Sequence, residues 1–538
     1  MGIKENISKR DKNACIDAFE ALKATNGETR KIQILRPFSV TSRNSYSEPV
    51  TPPIGPAYLA AVFEKCGYPI GIIDAVGEAA INIRQSDCGL YSLKGLDTTG
   101  ILELIESSTS ILGVSMMFSQ EWLLHRDLIK IIKQHRPDIT IVVGGEHSTA
   151  MPEYILEDCK EIDYLITGEA ELTFLDLVHA LYYEREISEI SGLWYRGSNG
   201  ITHNNGLSPR MVVINDIPRP AWHLLPVENY FLDNWTMGIS MGRNMPILAT
   251  RGCPYQCTFC SNPTMWTTRY VMRSPQQVVD EIEWLIQKYN ANSIDFFDLT
   301  AIVKKDWVLK FCDELEKRNI KITWQLPSGT RSEALDKDVL IALKKTGCHY
   351  LVYAPESASE NTLKMIKKHV RIPRLVSSIK EAIKLEIIVK INLIIGFPDE
   401  KLIDIVKTFF FAWRMGILGV NDCNISVFSC YPGSELYRTM REEGLLTEPD
   451  DKYFVELTSQ FDMTAPISNC KNASGYVLMF FRVFGISGFY FFSYLLRPKR
   501  IFDFFKRYNK DHFRAANLFE QRISDKLVTK KLTIKNLS

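Results

Sequence analysis

The feature that most constrains the fold is a repeated alternation of short apolar segments with segments whose apolar residues recur at helical spacing. In the first part of the chain the apolar segments are β-branched and bounded by Gly, Pro or charge, which is typical of buried parallel strands. Strands are predicted at 31–35, 71–74, 111–115, 139–145 and 163–167, and helices at 56–66, 121–135 and 170–184. Strands joined by helical crossovers predict a doubly wound, Rossmann-like α/β domain.

A second alternation begins at Ile247, after irregular residues 190–245 that are rich in Pro, Trp and Asn and are interpreted as a connector. Strands are predicted at 246–252, 293–298, 322–326, 350–354, 389–396 and 424–429. Helices are predicted at 275–289, 306–318, 336–346, 373–385 and 402–415. Six consecutive β-α units predict a partial (β/α)6 barrel of the TIM type, whose chemistry lies at the carboxyl ends of its strands.

A chain of 538 residues is too long for one ordinary core, so several domains are expected. The predicted units are a polar leader (1–29), a Rossmann-like domain (30–188), a connector (189–238), a barrel core (239–465) and an aromatic and basic helical C-terminal region (466–538). In the last unit an apolar run is interrupted by Arg482 and by Gly and Ser, which favours helices that cover the barrel over a membrane span. Peripheral contact with a membrane surface is the alternative.

Charge and composition exclude several function classes. The formal net charge is +1, and the first 480 residues contain no compact basic run with interleaved aromatics, so a nucleic-acid partner is not expected. The first residues, MGIKENISKRDKN, lack the apolar stretch of a secretory signal, which predicts a cytoplasmic protein. Twelve cysteines in such a chain indicate reduced thiols or metal ligands rather than a disulfide framework.

Three of these cysteines form a compact motif directly after a predicted strand. In RGCPYQCTFC the spacing is Cys-x3-Cys-x2-Cys, formed by Cys253, Cys257 and Cys260. Three thiolates can hold a [4Fe–4S] cluster and leave its fourth iron open to another ligand. Zinc sites usually have four ligands, and no further Cys or His follows within fifty residues. The motif therefore favours a cluster with an open iron, with zinc or a purely structural cluster as alternatives.

At these residues the chain resembles the radical S-adenosylmethionine (SAM) superfamily, in which the open iron binds SAM and an electron from the cluster cleaves it to a 5′-deoxyadenosyl radical. The resemblance implies a reductant such as flavodoxin or ferredoxin. It also implies a SAM contact from Phe259, the aromatic residue before the last cysteine. Further SAM contacts are implied at the ends of later strands, namely Phe297, Asp298, Arg331, Glu356 and Gly396. Gly396 begins a Gly-x-Pro-x-Glu turn. Two structural alternatives are a pairing of Arg331 with Glu356 and a helix N-cap role for Asp298.

The N-terminal domain resembles the cobalamin-binding domain of a radical SAM subgroup that contains anaerobic magnesium-protoporphyrin cyclase, hopanoid methylases and antibiotic C-methylases. The matching segments are TPPIGPAYLAAVFEKCGYPIGIIDA, VGGEHSTAMPEYI and DYLITGEAELTFLDLV, and with the core the resemblance covers roughly residues 30–460. The predicted cobalamin contacts are Thr51, Pro53, Gly55, Ser115, Met116, Gly144, Gly145 and His147. The Asp-x-His-x-x-Gly motif of many cobalamin proteins is absent, so His147 is expected to be a hydrogen-bonded histidine rather than a cobalt ligand.

The two resemblances together imply methylation of an unactivated carbon on a small-molecule or lipid-like substrate. A cobalamin-associated radical cyclisation, ring contraction or rearrangement without methyl transfer is the first alternative. A cofactor-binding sensor without catalysis is the second. No catalytic residue is assigned, and the sequence does not identify the substrate.

Overall fold

The computed structural model describes residues 16–45, 50–211, 213–232, 236–446, 449–458, 462, 464, 467–508 and 515–523. Numbered along the chain, its strands are β1 (Lys31–Arg36), β2 (Ser39–Ser42), β3 (Ile70–Asp74), β4 (Ile83–Gln85), β5 (Tyr91–Lys94), β6 (Thr109–Ser115), β7 (Thr140–Gly144), β8 (Tyr164–Ile166), β9 (Leu193–Arg196), β10 (Thr202–Asn204), β11 (Asn244–Ile247), β12 (Thr250–Arg251), β13 (Val271–Met272), β14 (Ser293–Phe296), β15 (Thr323–Thr330), β16 (Cys348–Glu356), β17 (Ile388–Ile395) and β18 (Asp422–Val427). The α-helices are Ile54–Lys65, Ala75–Glu78, Thr98–Leu104, Trp122–His135, Glu146–Ala150, Pro152–Asp158, Ala170–Tyr182, Val227–Leu232, Asn262–Trp266, Pro275–Tyr289, Lys305–Lys317, Lys337–Lys345, Glu360–Met365, Ile372–Lys384, Leu402–Leu418, Glu435–Glu442, Asp451–Leu457, Gly475–Leu495 and Lys499–Tyr508.

The N-terminal sheet has the order β10-β9-β8-β7-β6-β1-β3. Strands β3, β1, β6, β7 and β8 are parallel, so the doubly wound layer predicted from the sequence is confirmed. Among these five parallel strands the order is 2-1-3-4-5, and it reverses between β1 and β6. Ligands of such sheets bind beyond the carboxyl ends of the strands at that reversal.

The predicted connector is not wholly irregular, because β9 and β10 form an antiparallel hairpin that extends the N-terminal sheet. Gly200 adopts a φ of +78° in the turn, and the Gly197 N–H donates to the Ile201 carbonyl at 2.8 Å. An Asn-Gly turn between short strands is a hairpin signal that the sequence interpretation missed. It also missed the three-stranded sheet β2-β5-β4, whose strands of three or four residues are too short to show a period.

The second sheet has the order β11-β14-β15-β16-β17-β18, with every neighbouring pair parallel. This arrangement confirms the partial barrel of six β-α units. Its core is formed by strand residues such as Ile294, Leu351 and Leu393 and by the inner faces of the surrounding helices. The predicted helix 275–289 has those bounds in the structure, because Ser274 caps it and Asn290 ends it in the left-handed conformation.

The C-terminal region is helical, as predicted. Helix Gly475–Leu495 packs along helix Leu402–Leu418, and a Cβ on Gly416 would lie 2.5 Å from the Phe489 carbonyl oxygen. Among the described residues it is the one helix that is long and apolar enough to cross a membrane. Arg482, near its middle, is buried and donates to the Asp462 carbonyl at 2.9 Å.

A buried ion-pair network joins the two large domains. Arg251 of β12 pairs with Glu169 at 3.0 Å and with Glu171 at 2.5 Å, both in the segment that follows β8. Arg210 pairs with the other oxygen of Glu169 at 2.7 Å, and the Met211 N–H donates to that oxygen at the same distance. All four charged side chains are less than a tenth exposed. The network fixes the start of the cysteine loop against the N-terminal domain.

Removing Glu169 tests this network. Glu169→Ala leaves Arg251 and Arg210 with too little buried negative charge, so we expect the free energy of unfolding to fall by about 3–5 kcal/mol. Urea denaturation followed by circular dichroism measures the change. Glu20→Ala, which breaks the exposed pair with Lys23, is the control and is expected to leave stability unchanged. Equal stability of the two variants would contradict a structural role for the network.

Candidate active site at the domain interface

The three motif cysteines lie on a loop between β12 and helix Asn262–Trp266. The Cys260 N–H donates to the Cys257 carbonyl at 3.1 Å, which closes a tight turn. Between them, the Thr258 N–H donates to the Ile366 carbonyl at 3.1 Å, and the Thr258 carbonyl accepts from the Leu436 N–H at 2.8 Å. The loop is therefore held from two sides by backbone hydrogen bonds.

Two positive side chains act on the buried cysteines of the loop. Burial raises the pKa of Cys260 to about 12. Burial also raises the pKa of Cys257, whereas the positive charges of Lys368 and Arg331 act to lower it. Cluster ligands are thiolates, and these two cations compensate their negative charge.

The donor set of the loop is three cysteines, Cys253, Cys257 and Cys260, at the spacing Cys-x3-Cys-x2-Cys. Three thiolates hold a [4Fe–4S] cluster through three of its irons and leave the fourth iron open. The chemistry of this donor set therefore fits such a cluster.

Arg331 and Glu356, both predicted SAM contacts, lie at the ends of β15 and β16 beside the cysteine loop. The Arg331 guanidinium lies 3.4 Å from the centre of the Tyr255 ring and donates to the His369 carbonyl at 3.2 Å. Glu356 pairs with Lys368 at 2.9 Å, so the alternative of an Arg331–Glu356 pair is wrong. Lys368 was missed by sequence analysis because only the fold brings it to Glu356 and to Cys257.

Asp298 and Phe297 follow β14. The Asp298 carboxylate accepts from the Ala249 N–H at 3.2 Å and from the Thr250 hydroxyl at 2.5 Å. Burial raises the pKa of Asp298 to about 6. The alternative of a helix N-cap is therefore wrong, since this carboxylate orients the strand that leads into the cysteine loop. Phe297 is half-buried, and its role in SAM binding stays a prediction, as does that of Asp298.

The Gly-x-Pro-x-Glu turn follows β17. Gly396 has a φ of +86°, and its N–H donates to the Glu400 carboxylate at 2.7 Å. The same carboxylate accepts from the Phe397 N–H and the Thr362 hydroxyl, and burial raises the pKa of Glu400 to about 7. The Phe259 ring lies 5.7 Å from that of Phe397. Two of the predicted SAM contacts, Phe259 and Gly396, are thus brought to one place.

The predicted cobalamin contacts of β6 and β7 meet at the carboxyl edge of the N-terminal sheet. Ser115 is paired with Gly144, and the Met116 N–H donates to the Gly144 carbonyl at 2.7 Å. Gly145 has a φ of +120°, and a Cβ there would lie 2.5 Å from the Met116 carbonyl oxygen. Only glycine fits this position, so the backbones of Gly145 and Met116 pack directly against each other at the carboxyl edge of the sheet.

The same edge carries exposed apolar side chains next to β6. Met117 and Phe118 are each about half exposed, so two large apolar side chains stand together at the surface beside this edge. Gly55, at the start of helix Ile54–Lys65, has nothing within 4 Å of where a Cβ would stand. Near it Pro53 precedes the helix, and the Thr51 carbonyl accepts from Arg36 at 2.8 Å. The edge is open and partly apolar, which suits a large flat ligand such as a corrin ring.

His147 does not face this edge. Its imidazole is 1% exposed and bonds through Nδ1 to the Ser119 hydroxyl at 2.9 Å. Burial lowers the pKa of His147 to about 3, so the ring is neutral at physiological pH. It packs against Trp122 and Phe454. These contacts are those of a structural histidine, and its place among the cobalamin contacts stays a prediction.

The two candidate cofactor edges touch. Glu146, directly after the glycine pair, accepts a hydrogen bond from Ser261, directly after the last cysteine. Nearby, the Thr149 hydroxyl donates to the Met265 sulfur at 3.2 Å. Burial raises the pKa of Glu146. Sequence analysis found both loops but not this contact, since Glu146 and Ser261 carry no pattern that pairs them.

Comparison with known proteins identifies both domains. Residues 44–178 match the model of the B12 binding domain, and residues 247–412 match that of the radical SAM superfamily. Both matches lie inside the ranges predicted for the two domains. A radical SAM domain carries a [4Fe–4S] cluster and SAM, and the B12 binding domain binds cobalamin, so all three predicted cofactors are confirmed.

Three curated relatives align with more than half of this chain. An uncharacterized methyltransferase of Pyrococcus horikoshii is 29% identical over 73% of this chain and 80% of its own length. Cytidylyl-2-hydroxyethylphosphonate methyltransferase of Streptomyces wedmorensis is 27% identical over 79% of this chain and 85% of its own. The anaerobic magnesium-protoporphyrin IX monomethyl ester cyclase of Rubrivivax gelatinosus is 27% identical over 59% of this chain and 56% of its own length.

Solved structures show the same fold. The radical SAM methyltransferase TsrM of Kitasatospora setae, solved with cobalamin and a [4Fe–4S] cluster bound, has a TM-score of 0.59 and 18% identity. The match covers 78% of this chain and 80% of that one. The fold of this chain is therefore shared with a solved structure over most of its length.

Loss of one cluster ligand separates the two cofactor sites. Cys257→Ala removes one of three thiolates, so we expect iron and sulfide to be lost while corrinoid is retained. Protein purified without oxygen is analysed for iron, sulfide and corrinoid. Cys312→Ala, a buried cysteine of the barrel core, is the matched control and is expected to keep all three. Simultaneous loss of corrinoid from Cys257→Ala alone would contradict separate sites.

The buried Glu400 predicts a pH dependence. Between pH 4.5 and 7 the unfolded chain has lost this proton while the folded chain keeps it, so stability falls as pH rises through this range. Glu400→Gln cannot ionise, so we expect the stability of the variant relative to the natural protein to rise by about 2.5 kcal/mol between pH 5 and pH 8. Urea denaturation at several pH values measures this difference. The exposed Glu360→Gln is the control, and a constant difference across pH would refute the assignment.

Proposed function

The chain belongs to the radical SAM enzymes that carry a B12 binding domain, and from this membership we propose that it methylates an unactivated carbon of a small-molecule substrate. The observation that carries the proposal is the contact between Glu146 and Ser261, which brings the cobalamin edge and the cluster loop together. The methyltransferases of Pyrococcus horikoshii and Streptomyces wedmorensis, which align over most of this chain, support it.

When bound, the cluster and SAM supply a radical that removes a substrate hydrogen, and cobalamin supplies the methyl group. The residues of this chain bind and orient these groups. Cys253, Cys257 and Cys260 ligate the cluster, and Lys368 and Arg331 balance its charge. We assign SAM contacts to Phe259 and Gly396, whose neighbouring positions form one surface, and to the ends of β14, β15 and β16, which carry Phe297, Asp298, Arg331 and Glu356.

The cobalamin contacts we propose are the backbone edge at Gly144 and Gly145, with Ser115 and Met116 beside it. We include Thr51, Pro53 and Gly55, because the Thr51 carbonyl accepts from Arg36 at the carboxyl end of β1. Met117 and Phe118 are added to the earlier set, because their exposed apolar surface is buried when a corrin covers it. The backbone contact between Met116 and Gly145 holds this edge rigid. A rigid edge would keep the methyl donor in a fixed position relative to the substrate.

The substrate class we propose is a small or lipid-like molecule that enters between the two domains. The C-terminal helix reaches this region, because a Cβ on Gly396 would lie 2.6 Å from Leu478. That helix excludes water on the side of the SAM turn, as a carbon radical requires. We further propose a cytoplasmic enzyme that receives its electron from a flavodoxin or a ferredoxin.

A second candidate function is radical cyclisation or rearrangement with cobalamin but without methyl transfer. The observation that favours it is the similarity to the magnesium-protoporphyrin cyclase of Rubrivivax gelatinosus, although this chain spans about half of that enzyme's length. A third candidate function is a cofactor-binding sensor without catalysis. This function requires that the protein never cleaves SAM.

Labelled SAM distinguishes these functions. The reconstituted enzyme is given a strong reductant, SAM with a labelled methyl group and a small-molecule and lipid extract of the source cells. Methyl transfer predicts 5′-deoxyadenosine, label on the enzyme-bound corrinoid and a product heavier by one CH2. 5′-Deoxyadenosine without transferred label would support cyclisation or rearrangement. Absence of 5′-deoxyadenosine from a fully loaded enzyme would refute the enzyme assignment, with Cys257→Ala as the inactive control.

A further inference from the structure

The helix Lys499–Tyr508, with sequence KRIFDFFKRY, is amphipathic and none of its described side chains is buried. At 100° per residue, Ile501, Phe504 and Phe505 share one side, with Phe502 at its border. Ile501, Phe502 and Phe505 are 41%, 73% and 57% exposed. Amphipathic helices of folded domains normally bury such a face against the core, whereas these three side chains leave much of their apolar surface exposed.

The opposite side of the same helix is basic. Lys499, Arg500, Lys506 and Arg507 fall within a third of the helical circumference, together with the single acidic residue Asp503. Lys499 and Lys506 are exposed, whereas Arg507 pairs with Glu520. Residues 497–538 contain twelve Lys and Arg against four Asp and Glu, although the whole chain has a net charge of only +1. Positive charge is therefore concentrated at this end of the chain.

The helix that precedes it exposes a continuous apolar side. Its large exposed side chains are Tyr476, Phe480, Phe484, Phe491 and Leu495. Leu496, also exposed, leads through Pro498 into helix Lys499–Tyr508. Only 22% of the most apolar stretch of this helix is buried inside the protein. Contiguous exposed aromatic surface of this kind marks an interaction site.

The packed side of helix Gly475–Leu495 argues against a membrane span. Leu478, Gly485 and Phe489 are buried against the barrel. Phe481 packs on Phe409 of the neighbouring helix. A spanning helix would lose these contacts and place Arg482 in lipid. The helix therefore keeps one side on the barrel and offers the other to something outside the chain.

We propose that helix Lys499–Tyr508, together with the exposed aromatic side of helix Gly475–Leu495, docks this enzyme on the surface of an anionic lipid bilayer. A helix with Phe and Ile on one side and Lys and Arg on the other lies in the plane of the interface, with its apolar side among the acyl chains. The excess of positive charge selects a negatively charged surface. A bilayer also fits the breadth of the apolar surface, which runs over two helices.

Vesicle flotation tests the proposal with the holoenzyme, full chain and cofactors loaded. We expect binding to phosphatidylcholine vesicles that contain phosphatidylglycerol, weak binding to phosphatidylcholine alone, and loss of binding at high salt. Because a lysine near an anionic surface strengthens binding about fivefold, Lys499→Gln with Lys506→Gln weakens it about 30-fold. Phe502→Ser with Phe505→Ser removes the buried apolar surface and weakens it at least about tenfold.

Two matched variants and one activity measurement are the controls. Ile201→Ser with Leu207→Ser changes exposed apolar residues elsewhere, and Lys317→Gln with Lys321→Gln changes exposed lysines of the barrel. Both are expected to bind vesicles normally. Each variant must still cleave SAM to 5′-deoxyadenosine, which shows that it is folded and keeps this test separate from the methyl-transfer proposal.

Three outcomes would overturn the proposal. The first is no binding of the natural protein to anionic vesicles. The second is equal binding of the Phe502/Phe505 variant. The third is a dimer in solution that the same variant converts to monomers without any effect of vesicles, since the surface would then join two copies of this chain.

Discussion

The buried pairing of Arg251 with Glu169 and Glu171 is the interaction on which the site depends most directly. Arg251 lies on β12, two residues before Cys253. Its ion pairs therefore anchor the start of the cluster loop in the N-terminal domain. Charges at this depth are tolerated only when each has partners, and Arg210 and the Met211 amide complete the set on Glu169. These ion pairs and hydrogen bonds therefore fix the orientation of the two domains, because a rotation of either domain would break them. Apolar contacts alone would let the two surfaces slide past each other.

With that orientation fixed, the two cofactor edges meet without long loops. The edge at Gly144 and Gly145 is shaped by backbone, since the close approach to Met116 forbids a side chain at Gly145. The cluster loop is held by the hydrogen bonds of Thr258 and by the carboxylate of Asp298 under its leading strand. Both edges are therefore set by rigid elements, which suits chemistry in which a radical must meet its reaction partner before it meets water.

Much of the fold was predictable because its main elements carry local signals. Buried parallel strands are apolar and β-branched, and the crossover helices repeat apolar residues at 3.6 spacing, so Pro275–Tyr289 was placed correctly at both ends. The hairpin β9-β10 and the sheet β2-β5-β4 are built from strands too short to show a period. The site was predictable where a motif is contiguous, as for the three cysteines. Lys368 beside Glu356 and Glu146 beside Ser261 depend on tertiary contacts that no sequence pattern joins.

The C-terminal region shows most clearly what the fold adds to composition. From sequence, its aromatic run fits either a cover for the barrel or a membrane contact, and in the structure one side of the helix packs on the barrel while the other is the side that we propose for the membrane. Leu478 lies against the turn at Gly396, whereas Phe480 and Phe484 point away from the packed side. The same helix therefore covers the turn that we assign to SAM with one side and offers the other side to the bilayer that we propose, so membrane docking leaves the contact between Leu478 and Gly396 intact.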